Sequence, residues 1–229
     1  MILSIIIPVY NEENTIIQVL EKIKNNSSNL FKYEVIVIDD GSSDNSKNLL
    51  EKNKNLYEKL IVNQTNMGKG FSVKQGLLNS NGTHIIFQDA DLEYDPIDIL
   101  KFEKIFSSFD ADGIIGSRMI YSEYTRSHNI LNKIGNKVIT TIFNLLYNTT
   151  FTDIYSCYFA FKKDLLDANS LSSSGFEQHA EILSKVIKKG KKFYEVPIRY
   201  NGRTISEGKK IRAYHFFSVL YQLIRCRIL

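Results

Sequence analysis

Residues 84–98 run His-Ile-Ile-Phe-Gln-Asp-Ala-Asp-Leu-Glu-Tyr-Asp-Pro-Ile-Asp, an apolar stretch that ends in a cluster of carboxylates. A buried strand has no structural need for Asp89 and Asp91 at its C-terminal end. A hard divalent cation does, because Mg²⁺ is usually held by one or two carboxylates together with substrate phosphates. Side chains alternate between the two faces of a strand, so Asp89 and Asp91 share a face if extended backbone continues past Phe87. Glu93 joins them by the same spacing. The plain alternative is an acidic turn ahead of a helix that Pro96 opens at its first position.

Two more loops carry chemistry. In Asp39-Asp40-Gly41-Ser42 a carboxylate can accept hydrogen bonds from a nucleobase N–H or a ribose hydroxyl, while Gly41 permits a tight turn. The competing role there is helix capping, which Asp44 can fill while Asp39 or Asp40 faces a ligand. Gly68-Lys69-Gly70 opens a helix, where amides and a lysine can meet a phosphate, although the full Walker A spacing is missing.

The elements that position these loops alternate in the first half of the chain. Strands are predicted at 2–8, 33–39, 59–63, 83–88 and 112–116, with helices at 13–25, 44–54, 69–79 and 96–108. This is the pattern of a mostly parallel sheet flanked by helices, an α/β fold whose ligands bind at the C-terminal edge of the strands. Each loaded loop follows a strand at that edge. The second half predicts a helix at 128–148, a strand at 157–162, a helix at 176–189, a strand at 192–196 and a final amphipathic helix at 211–227.

The 229 residues, 43% of them hydrophobic, are enough for one domain over 1–229 with a full core. A net charge of +4 is too small to argue for nucleic acid, while a pI of 8.8 suits an anionic membrane surface. Cys157 and Cys226 have no metal-binding spacing, and with no signal peptide they read as reduced thiols of a cytoplasmic protein. No apolar run approaches the ~20 residues of a spanning helix. Ile130, Ile134, Val138, Ile142 and Leu145 recur at helical spacing, as do Phe216, Leu220, Leu223 and Ile224. The ordinary reading is a core-facing stripe. The functional one is a face lying on a membrane, flanked by Lys133, Lys137, Arg225 and Arg227.

Together the loops describe a nucleotide, a divalent metal and a diphosphate. The chain resembles family 2 glycosyltransferases, in particular the dolichyl- or polyprenyl-phosphate sugar transferases. The resemblance rests on Ile5-Ile6-Ile7-Pro8-Val9-Tyr10-Asn11-Glu12, Val37 to Asp44, Asn66 to Gly70 and Gln88 to Glu93. It continues through Ile115 to Arg118, Thr152-Asp153, Glu195 to Ile198 and Gly202 to Lys210, so it covers essentially the whole chain. It implies a nucleotide-diphospho-sugar transferase fold with C-terminal amphipathic helices. Residues 1–118 would bind the nucleotide sugar, and residues 119–229 the acceptor.

The resemblance also implies roles. Pro8, Tyr10 and Glu12 would line the base and ribose pocket, with Asp40, and Asp39 beside it, reading the base. Asp89, Asp91 and Glu93 would hold Mg²⁺ or Mn²⁺, and Lys69 would face a GDP- or UDP-linked sugar. Arg118 and Arg126 would hold the phosphate of a lipid acceptor, and Arg203 and Lys209 would close over the donor diphosphate. Asp91, Arg118, Arg203 and Lys209 thus carry an inverting, metal-dependent hexosyl transfer by a peripheral membrane enzyme, which leaves room for an integral membrane partner. A sugar hydroxyl acceptor would instead need a carboxylate base, with Glu177, Glu181 and Asp153 as candidates. A nucleotide-binding module without catalysis is the third class. The chain departs from the family in lacking the transmembrane helices many relatives add. It also shows Ser156-Cys157-Tyr158-Phe159 where dolichol-type enzymes carry Gly and Arg, which bears on acceptor and sugar identity.

Overall fold

The structure, a computed structural model, describes residues 1–26, 30–121, 123–124, 126, 130–204, 207–208, 210 and 215–228. Apolar, β-branched runs such as Ile5-Ile6-Ile7 and Val35-Ile36-Val37-Ile38 suit a strand covered on both faces. They form β1 (Ile2–Val9) and β2 (Lys32–Asp39), joined by β3 (Lys59–Val62), β4 (His84–Phe87), β5 (Gly113–Ser117), β6 (Phe159–Lys162) and β7 (Phe193–Pro197). The seven strands make one sheet in the order β3-β2-β1-β4-β6-β5-β7. All pairings are parallel except those of β6, which runs antiparallel to both β4 and β5.

Helices α1 (Ile16–Asn25), α2 (Ser46–Lys52), α3 (Lys69–Leu78) and α4 (Ile99–Phe109) connect the first five strands, followed by α5 (Ile130–Tyr147), α6 (Gln178–Lys189) and α7 (His215–Ile228). Alternation along β1 divides the core. Ile5, Ile7 and Val9 face α1 and α4 through Ile16, Leu20, Phe102 and Phe106. Ile6 faces the other layer, where Val73 of α3, Phe143 of α5, Leu183 of α6 and Val219 of α7 meet. The predicted helix start at 13 moves to Ile16, because the Thr15 amide closes a turn on the Glu12 carbonyl instead. Pro96 opens a short 3₁₀ turn ahead of α4, with the Asp95 carboxylate accepting the Ile97 amide.

One reading of the helical periodicity is corrected. Ile130, Ile134, Val138 and Leu145 do not face the core but lie exposed, and Ile139 and Phe143 take the buried side of α5. Among the described residues no helix is long and apolar enough to cross a membrane.

Strand order reverses beside β1, which pairs with β2 on one side and β4 on the other. A crevice opens at such a switch point, outside the carboxyl ends of the strands. The loops after β1, β2 and β4 all end there.

Candidate active site

A cavity of about 1710 Å³ opens at that edge. Part of its lining is acidic. Pro8 lies near the end of β1, Tyr10 and Glu12 follow that strand, Asp40 follows β2, and Asp89, Asp91 and Glu93 follow β4; all seven line the cavity. Asp89 and Asp91 converge by a route other than strand alternation. β4 ends at Phe87, before either residue, and both carboxylates nevertheless line one cavity.

Glu12, Asp89, Asp91 and Glu93 each meet a cation of the chain. Lys69 Nζ lies 2.5 Å from Asp89 Oδ1. Burial opposes ionisation of both, and their attraction outweighs it, so the Asp89 carboxyl is lowered and the Lys69 ammonium raised. Arg203 donates to both Glu12 oxygens at 3.0 Å and to Asp91 Oδ2 at 2.8 Å. Lys210 adds a contact of 2.7 Å to Glu12. Burial would raise the Glu12 carboxyl, but Arg203 and Lys210 hold it below its usual range. Asp91 is the exception: burial, together with the charges of Asp89 and Glu93, pushes its carboxyl up to about 7.

That crowding fits a divalent cation in part. Asp91 and Asp89 supply one carboxylate each, enough for an ion that arrives with substrate phosphates. No cluster of three metal-ligating side chains occurs among the described residues. Glu93 lines the same cavity but is also engaged within the chain. Its Oε2 accepts the Tyr200 hydroxyl at 3.0 Å and its Oε1 the Arg203 amide at 2.8 Å, so it ties down the Tyr200–Arg203 segment.

Other expectations shift as well. Asp40 lines the cavity, yet its carboxylate accepts the Met67 amide at 3.0 Å, the Gly68 amide at 2.9 Å and Asn63 Nδ2 at 2.7 Å. It shapes the 66–68 loop. Asp39 is buried outside the cavity, with no hydrogen-bond partner on either oxygen among the described residues. Burial raises its carboxyl, a shift the nearby Ser42 partly offsets. The amides that open α3 are not free for a phosphate, since Ser174 O accepts Gly70 N at 2.7 Å and Phe71 N at 3.3 Å. Gly68, Lys69, Ser72 and Val73 line the cavity there, and Lys69 supplies the charge.

The lining also mixes cations with apolar side chains: Arg118, Arg126 and Lys133 beside Ile130, Ile139 and Phe216. Asp153, buried, grips Arg118 Nε at 2.7 Å and Nη2 at 2.8 Å, and Tyr94 and Tyr155 O take two further N–H groups. Of its five donors one N–H stays available, so Arg118 offers a fixed charge more than a fork. Arg126 is shared with Gly202 O at 3.1 Å and Glu207 at 2.8 Å. Lys209 lies outside the described residues, and Lys210 makes the contact to Glu12 in the same segment.

The candidate bases do not line the cavity. Glu181 is corrected: its carboxylate accepts the Ser172 and Ser173 amides at 3.1 and 2.8 Å and pairs with Lys185 at 2.9 Å. Those bonds outweigh burial and lower it to about 2. Glu177 accepts the Gly175 amide at 3.1 Å. Conversely, Tyr155, Cys157, Gln178 and His179 line the cavity, though spacing alone gave no sign of it. His179 Nε2 bonds Ile154 O at 2.9 Å, and burial, then the charge of Lys69, pushes the imidazole down to about 4.

Known proteins resemble the chain in sequence and in fold. The sequence profile of glycosyl transferase family 2 matches residues 4–169. The low-salt glycan biosynthesis hexosyltransferase of Haloferax volcanii is 27% identical over 202 residues, 88% of this chain and 48% of that protein. The dolichol-phosphate mannosyltransferase of Pyrococcus furiosus is 27% identical over 234 residues, 98% of this chain and 64% of that protein. The chain therefore spans about half to two thirds of the length of these two relatives. Glucosyl-3-phosphoglycerate synthase of Mycobacterium tuberculosis, solved with Mn²⁺ and uridine diphosphate, superposes with a TM-score of 0.75 at 17% identity. That match covers 100% of this chain and 80% of the synthase, and it shows a shared fold.

Proposed function

We propose, from the premise that this chain belongs to glycosyl transferase family 2, that it moves a sugar from a nucleoside diphosphate to a polyprenyl phosphate at a membrane surface, with inversion. The observation that carries this reading is one cavity lined both by carboxylates with Lys69 and Arg203 and by Arg118, Arg126 and Lys133 beside apolar side chains. The carboxylates, Lys69 and Arg203 suit a metal-bound diphosphate. The apolar wall with Arg118, Arg126 and Lys133 suits an anionic headgroup on a hydrocarbon chain.

The protonation chemistry supports a phosphate over a hydroxyl as nucleophile. Among the described residues, the carboxylates lining the cavity are Glu12, Asp40, Asp89, Asp91 and Glu93, the group this reading gives to the metal and the diphosphate. Asp153, Glu177 and Glu181 do not line the cavity, and each accepts a hydrogen bond within the chain. A phosphate monoester is largely ionised at neutral pH and needs no base; it needs positioning and charge neutralisation. Arg118 would hold that phosphate oxygen in line with the anomeric carbon, on the face opposite the departing diphosphate. Bound at Asp89 and Asp91, Mg²⁺ or Mn²⁺ would supply charge stabilisation to the leaving group. Arg203, released from Glu12 and Asp91, would pair with the same diphosphate.

The test is incubation with radiolabelled UDP- and GDP-sugars, Mg²⁺ or Mn²⁺, and polyprenyl phosphate. Label in an organic-extractable, acid-labile product is the expected result. Label found only in a water-soluble glycan points to a hydroxyl acceptor instead. Donor binding without any transfer leaves a nucleotide-binding module.

A further inference from the structure

On the wall beside the Lys69–Asp89 pair stand three uncharged polar groups that the transfer step above does not use. Gln178, the first residue of α6, is 5% exposed, lines the cavity, and has an Oε1 with no hydrogen-bond partner among the described residues. Its stem is pinned: a Cβ built on Gly70 would come within 2.9 Å of Gln178 Cβ, so α3 and α6 leave it no room to swing away. Tyr155 also lines the cavity, and its hydroxyl is likewise buried without a partner. The third group is His179. A carbonyl can only accept, so the bond from Nε2 to Ile154 O fixes the tautomer and leaves Nδ1 an acceptor. The Tyr155 and His179 rings meet edge to face at 6.2 Å, and both feel the charge of Lys69.

Buried polar atoms without partners are uncommon, and each costs free energy until something satisfies it. The character of this set narrows what that something is. A phosphate calls for cations or several N–H donors, and a metal calls for carboxylates. A hydrocarbon would leave the Gln178 carbonyl and the Tyr155 hydroxyl unpaired. Two acceptors and a phenol, none charged, match a group that both donates and accepts while carrying no charge. A sugar ring presents such groups at fixed angles.

We infer that Gln178 and Tyr155, with His179 behind them, read the hydroxyl pattern of the donor sugar and so set which sugar is transferred. The inference rests on the proposed transferase reading and adds the specificity determinant within that site. It also explains why Gly70 carries no side chain. A Cβ there would meet Ser173 O at 2.5 Å as well as Gln178, and would push the whole wall away from Lys69.

The experiment compares wild type with Tyr155→Phe and Gln178→Leu. Tyr155→Phe deletes a single oxygen and keeps the ring contact with His179, so it tests the idea even if the Gln178 variant folds poorly. Two readouts are taken: calorimetric Kd for UDP and GDP with Mn²⁺, and kcat/KM across UDP- and GDP-linked glucose, galactose, mannose and N-acetylglucosamine. Nucleoside diphosphate binding is expected to stay within about twofold of wild type. The best donor should lose about tenfold in kcat/KM per variant, as one lost hydrogen bond implies. Its advantage over the epimers should shrink by a similar factor. Unchanged selectivity in both variants overturns the inference while leaving the transferase reading intact. Failure of the wild type to bind any nucleoside diphosphate removes both together.

Discussion

Arg203 Nη2, 2.8 Å from Asp91 and 3.0 Å from Glu12, supplies from the chain itself the positive charge that the acidic wall needs. A divalent ion bound to Asp91 must compete with it. Arg203→Gln should therefore tighten Mn²⁺ binding to the nucleotide-free protein by about tenfold, a difference of ~1.4 kcal/mol, while lowering turnover by ~10²-fold for want of charge on the leaving group. Electron paramagnetic resonance of free Mn²⁺ reads the first quantity; unchanged affinity would remove Asp91 from the metal's contacts. Glu181 makes a contrasting case. With its folded carboxyl at about 2 against 4.5 in the unfolded chain, its contribution is complete above 4.5 and lost as pH falls through about 2. Glu181→Gln should cost ~2 kcal/mol at neutral pH, because the Ser172 and Ser173 amides keep a weaker, neutral acceptor. Urea midpoints at pH 7 and pH 3 should show the gap from wild type narrowing in acid. Turnover at pH 7 should survive, since this carboxylate points at backbone rather than into the cavity.

Among the elements, α3 has the tightest seat. It lies on β1 and β2 through Gly76, where a Cβ would fall 2.5 Å from Ile6 Cγ2 and 2.9 Å from Ile38 Cδ1. Gly76→Ala gains up to ~1 kcal/mol of helix propensity but overpacks the layer by ~1–3 kcal/mol, so a net loss is expected in chemical denaturation. A net gain would mean that the helix slides freely on the sheet. Contacts of this kind mark the limit of what sequence patterns reveal. Strands β1 to β5 lie within two residues of their predicted bounds, because runs such as Ile5-Ile6-Ile7 allow few alternatives. The loops holding Asp89, Asp91 and Lys69 were legible because strand ends share one edge. The pairing of Arg203 with Glu12 spans 191 positions and appears in no local pattern. Nor does the arrival of Gln178 and His179 at the cavity, which depends on how α6 packs against α3. The stripe from Ile130 to Leu145 left a core-facing and an exposed reading open for another reason. α5 is apolar on two sides, and periodicity alone does not say which side the sheet takes.

For the whole molecule, the second apolar side of α5 and its counterpart on α7 bear on where the enzyme works. Ile130 is 73% and Phe217 72% exposed, and both line the cavity's rim. From there Ile134, Val138 and Leu145 extend along one helix, and Tyr221, Ile224 and Ile228 along the other. Lys133, Lys137, Arg225 and Arg227 flank these faces in solvent. Apolar residues edged with cations fit the headgroup region of an anionic bilayer, where each buried side chain contributes ~1.5–3 kcal/mol. A lipid acceptor could then enter the rim without leaving the membrane. The double variant Ile134→Glu, Phe217→Glu should lose flotation with vesicles containing phosphatidylglycerol, and raised salt should weaken the wild type's binding through its electrostatic share. The decisive comparison is between acceptors. Turnover of a short, water-soluble prenyl phosphate should persist in the double variant, because the acidic wall, Lys69 and Arg118 are untouched. Turnover of a long-chain acceptor embedded in vesicles should collapse. Equal losses with both acceptors would place Phe217 inside the acceptor site itself, and flotation that survives both charges would move the membrane contact to another face of the protein.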